Sequence, residues 1–275
     1  MIKSRIFFIS LTAITVIAAL SNPAHADEQA QAGKAIVQKW QDSVVSVEMV
    51  VKSGMSMGSE EIPKRESKNE ATGSVIDSSG LVVVSLAATQ PDDVLSNLMS
   101  QETGGDKFKM TTEVTDVKIR LASGIEIPAK VVLRDKDQDL AFVLPIKTPA
   151  VQLPVLDITQ SEKPSMLDPI IVLSRLGSVA GRTIGASLER INSVVEKPKN
   201  FYIPSGSESG DSLGSPAFSL DGKYLGMIAL RSRPTVSADS GNFFGGMSGM
   251  GMLYVIIPAA DVREAEKQAL EAATK

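Results

Sequence analysis

The chain has no cysteine, a single histidine and a single tryptophan, and aromatic residues make up only 4% of its 275 positions. Without cysteine there is no disulfide and no thiolate nucleophile or ligand, so the hydrophobic core alone must hold the fold, which a chain of this size can do. The one histidine, His25, falls in an N-terminal stretch with the marks of a secretory signal: Lys3 and Arg5, a fifteen-residue apolar run from Ile6 to Leu20, then Ala24-His25-Ala26. That run is short of the roughly 20 residues a membrane helix needs, although an uncleaved anchor is the alternative. No cysteine follows it, which excludes lipidation there. Cleavage after Ala26 leaves 249 residues with 26 Lys and Arg against 32 Asp and Glu, a formal charge of −6. The mature protein then has no imidazole, and so lacks the usual general base of hydrolases and the commonest transition-metal ligand. An acidic balance also argues against a nucleic-acid partner. The expected location is periplasmic or secreted, with no stable membrane anchor.

What is present is mostly strand. Ala35, Ile36 and Trp40 in residues 27–41 predict a short N-terminal helix. Strands follow at 43–51, in a hairpin over 73–85 turning at Ser78-Ser79-Gly80, in a second over 116–133 turning at Ser123-Gly124, and at 139–145. Residues 54–72, rich in Lys and Glu, read as an exposed loop. Residues 87–112 read as an excursion in which Pro91-Asp92-Asp93 starts a short helix. A proline-rich connection after Pro145 leads to a second set of strands at 169–176, 181–197, 201–206, 215–232 and 252–258, closed by an amphipathic helix over 260–273. Two sets of short strands predict an all-β protein of paired barrels. Residues 27–150 hold the first barrel and 151–275 the second.

Four segments in order are similar to trypsin-like proteases of the HtrA/Deg type, protease unit alone, across most of residues 40–265: "ATGSVIDSSGLVVVS", "VKIRLASGIEIPAKVVLRDKDQDLAFV", "SPAFSLDGKYLGMIA" and "YVIIPAADV". The resemblance implies a double six-stranded β-barrel with short N- and C-terminal helices. It places the acid of the family's triad at Asp139 and the general base at Ala87, a methyl group that takes no proton. The nucleophile loop is "GDSLGSP". Aligned without a gap, Gly214 and Ser215 match the family's Gly-Gly and Leu213 stands at the nucleophile. With one residue inserted, Ser212 is the serine after Gly210-Asp211. The ungapped register keeps "FYIPSG" in step with the family and is preferred.

A serine needs a neighbouring base to attack an amide, and an insertion would displace the oxyanion donors. Both registers therefore imply a pseudoprotease. The family's cleft binds substrate as an added strand, a mode that survives the loss of chemistry, so the expected partner is a peptide or protein of the cell envelope, met through Gly210, Asp211, Gly214, Phe243 and Phe244. No cofactor is implied. Two alternatives remain. One is an active serine endopeptidase at Ser212, with Lys199 or Lys223 as base. The other is a metal-binding loop in which Met247, Met250 and Met252 offer thioethers to Cu(I). "DKDQD" at 135–139 imitates a calcium loop but has Leu140 and Ile146 where Gly and Glu are needed.

Overall fold

In a computed structural model, residues 24–57, 60–89, 108–206, 212–232 and 252–274 are described. Helix α1 (Ala24–Trp40) begins three residues before the expected start at residue 27. The first barrel is β1 (Val44–Met57), β2 (Glu60–Val75), β3 (Val82–Ser85), β4 (Phe108–Arg120), β5 (Glu126–Asp135) and β6 (Leu140–Pro145), with a single helical turn, α2 (Leu86–Thr89), after β3. The second is β7 (Pro169–Arg175), β8 (Ile184–Val195), β9 (Phe201–Pro204), β10 (Pro216–Ser219), β11 (Tyr224–Ser232) and β12 (Met252–Pro258), followed by α3 (Ala259–Ala273). Each set closes on itself, in the orders β1-β2-β3-β6-β5-β4 and β10-β11-β12-β9-β8-β7, through antiparallel ladders. The expected all-β pair of six-stranded barrels is what the chain forms.

One expectation fails. Residues 54–57 and 60–72 are strand rather than an exposed loop, with β1 paired to β2 out to Met57↔Glu60 and to β4 out to Met57↔Phe108, so β4 also takes up the end of the excursion expected at 87–112. This stretch reaches beyond the barrel core, so its side chains show no apolar alternation. The backbone ladder holds it where the sequence offers few apolar side chains. The helix expected at Pro91 lies outside the described residues.

Strands with both faces covered explain the unbroken apolar runs. In β3, Val82 and Val84 point into the first barrel with Val47, Ile119 and Val143. Val83 points the other way, into a shared core with Phe142, Leu156, Phe218, Ile257 and Val262. Four of the twelve aromatics, Trp40, Phe142, Phe218 and Tyr224, are buried in that shared core. Trp40 of α1 stacks on Phe218 (centroids 6.3 Å apart), and Phe218 meets Tyr224 edge-on at 6.1 Å. Both helices and both barrels therefore bury one common surface, which fixes how the barrels meet.

Candidate functional site

Asp139 opens β6 from a left-handed backbone conformation, φ 58°, one that Asp tolerates better than most residues. The turn points both its carbonyl and its carboxylate at the end of β3. The carbonyl accepts the Leu86 N–H at 3.0 Å. The carboxylate accepts the Ala87 N–H at 2.6 Å and the Ser85 hydroxyl at 2.7 Å. A third donor comes from the other barrel: the Leu230 N–H of β11, 2.7 Å away. Burial pushes the Asp139 carboxyl up to about 6, with the Leu230, Ser85 and Ala87 hydrogen bonds acting against that rise. Among the described residues, every donor to this carboxylate is a backbone amide or a hydroxyl.

Ala87 and Leu213 belong to one buried apolar cluster, the interior of the second barrel, with Tyr202, Ile228, Leu230 and Tyr254. Leu213 is 7% exposed and Ala87 8%. The position matched to the base and the one matched to the nucleophile are thus occupied by core side chains. Ser212 is half-buried in the turn ahead of β10, and its carbonyl accepts the Ser215 N–H at 3.1 Å. The lysines offered as bases are each held by an acid: Lys223 by Glu162 at 2.9 Å and Lys199 by Asp137 at 3.7 Å. Lys223 sits in the turn after β10, whereas Ser212 precedes that strand.

Gly214 closes the loop with φ 84°. A β-carbon there would lie 2.0 Å from the Thr72 carbonyl oxygen, so only glycine allows this approach between barrels. Its N–H donates to the Ile228 carbonyl at 2.8 Å, and the Ile228 N–H donates to the Ser215 carbonyl at 2.9 Å. Beyond Ile228, β11 keeps β12 on one side as far as Ser232↔Met252, while its pairing with β10 has already ended at Met227. Gly210, Asp211, Phe243, Phe244, Met247 and Met250 lie outside the described residues. Met252 is inside β12 and buried in the second barrel, so it is a core side chain and no part of a thioether loop.

The architecture is similar to that of a solved structure described as the serine endoprotease from Yersinia pestis. The two share 15% identity over 87% of this chain and 66% of that one, with a TM-score of 0.56. The fold is trypsin-like. No protein-family model matches the sequence, and no curated protein matches it. The chain spans 66% of the length of the endoprotease chain. Within this trypsin-like fold, Asp139 and the turn before β10 bond neighbouring backbone groups of β11, at Leu230 and at Ile228.

The partners of Asp139 were not legible in the sequence. Ser85 is an ordinary strand-end serine there. The Leu230 N–H is a backbone group, which no residue type announces.

Proposed function

We propose that the chain is an exported, non-catalytic trypsin-like protein that holds a peptide or protein partner of the cell envelope along β11. The reading rests above all on the shared burial of Ala87 and Leu213. Proteolysis at a serine needs a hydroxyl, a base that takes its proton and donors for the oxyanion. Here a methyl and an isobutyl group stand at the base and nucleophile positions and touch the same core. The retained acid has no imidazole to orient, because the sequence after Ala26 contains none. Peptide binding by strand addition needs only backbone groups. Past Ile228, which is bonded to Gly214 and Ser215, and past the Leu230 N–H, which Asp139 holds, β11 has no barrel strand on its β10 side among the described residues. Export follows from the signal-like N-terminus.

A fluorophosphonate probe tests the catalytic half. The mature chain stays unlabelled, and casein remains intact after prolonged incubation. Labelling that disappears in Ser212→Ala would mean an active endopeptidase. A panel of unstructured peptides tests the binding half. Ser232→Pro removes a backbone N–H from the open side of β11 and lowers peptide affinity at least tenfold. Equal affinity in that variant would place binding elsewhere.

A further inference from the structure

A second polar site lies between two hairpin tips, the β4–β5 turn of the first barrel and the β7–β8 turn of the second. There a pocket of about 120 Å³ is lined by Arg120, Arg175, Arg182, Ser46, Gly124 and Gly181 among others. No lining residue is acidic. Arg175 is the unusual member. It is 9% exposed, and all three hydrogen bonds of its guanidinium go to carbonyls: Nε to Val44 (2.7 Å), Nη2 to Gln41 (2.6 Å) and Nη1 to Arg182 (3.4 Å). A guanidinium carries five N–H donors, so two remain. Among the described residues no acid is ion-paired with it, and Asp42 alone offsets its charge through space.

The other two guanidiniums are held by acids outside the pocket. Arg120 Nε donates to Glu48 at 2.7 Å, and its Nη2 donates to Glu126. Arg182 Nε donates to Glu70, and its Nη2 pairs with Glu48 at 3.0 Å. Those pairs fix both side chains and leave the Nη1 group of each outside them. Both are about a quarter exposed, Arg120 24% and Arg182 29%, so the pocket is reachable from water.

We infer that this pocket binds a small oxyanion, a carboxylate or a phosphate, between the two barrels. The Arg fork matches two oxygens on one centre. The volume accommodates a group of a few heavy atoms, such as acetate, phosphate or the carboxylate that ends a peptide chain.

Thermal unfolding of the full chain in chloride, acetate or phosphate, at one pH and one ionic strength, tests this. Acetate and phosphate each raise the midpoint by at least about 2 °C over chloride near saturation. Arg182→Gln abolishes that increment; it keeps the carbonyl that Arg175 uses. Glu126→Gln releases Arg120 from one acid and enlarges the increment. An acetyl-dipeptide with a free carboxylate, compared with its amide and with acetate, separates the sources. Tighter binding than acetate assigns a chain end, and equal binding assigns the free ion. Midpoints equal to those in chloride, or an increment unchanged in Arg182→Gln, overturn the inference.

Discussion

Asp139 of the first barrel and Leu230 of the second, 91 positions apart, are joined by a 2.7 Å hydrogen bond from the Leu230 amide to the Asp139 carboxylate. The acid is thus a cross-link between barrels, and it is a buried acid with an elevated pKa of about 6.

The first prediction concerns pH. The folded state keeps the Asp139 proton to higher pH than the unfolded chain, whose carboxyl titrates near 3.8. The favourable contribution is therefore complete below about pH 4, declines as pH rises to about 6 and is lost above that. Its size is on the order of 3 kcal/mol, for a shift of about two units at 1.36 kcal/mol each. Urea unfolding from pH 4 to pH 7.5 should show this decline, and Asp139→Asn should flatten it. Ser85→Ala removes a bond that opposes the rise, so it moves the window to higher pH.

Two glycines with nearly the same backbone angle should respond very differently to a methyl group. Gly214 (φ 84°) faces the Thr72 carbonyl, whereas Gly124 (φ 84°) has nothing within 4 Å of an added β-carbon. Gly124→Ala costs about 1 kcal/mol from backbone strain alone. Gly214→Ala costs well over 3 kcal/mol or prevents folding, as read from urea midpoints and soluble yield.

Leu213→Ser, which restores the residue type of a nucleophile, makes a cavity and buries a hydroxyl. It should cost about 3 kcal/mol or more and gain no labelling by fluorophosphonate. Two positions on, Ser215 is already fully buried, and its hydroxyl has no partner among the described residues. Ser215→Ala should leave stability unchanged or raise it by up to about 1 kcal/mol.

Met252→Leu should leave Cu(I) affinity unchanged, because its thioether is packed in the second barrel. It should cost less than about 1.5 kcal/mol, as expected for a volume-conserving core exchange. Titration of wild type and variant with Cu(I) makes the comparison.

The strand-and-turn rhythm was legible wherever a strand buries at least one face. The runs at 82–84, 140–143 and 254–257 are apolar because the two sides of each strand meet two different cores. The β1–β2 extension was missed because its pairing is made by backbone groups, which carry no residue signature. At the candidate site the resemblance pointed to Asp139, Ala87 and Leu213; in the fold Ala87 bonds Asp139 and shares a buried cluster with Leu213. Arg175 was missed because its contacts with Thr72, Val44 and Gln41 cross more than 100 positions of sequence. No local pattern encodes such contacts.

Thr72 and Arg175 exchange two hydrogen bonds, with the Arg175 N–H to Thr72 Oγ1 at 3.0 Å and Thr72 Oγ1 to the Arg175 carbonyl at 3.2 Å. Together with Asp139 and Leu230 they fasten the barrels at two separate points. A body clamped twice cannot swing open about either clamp. The two barrels are therefore held at a fixed spacing, and the peptide proposed to add along β11 would meet a rigid template that loses little freedom on association.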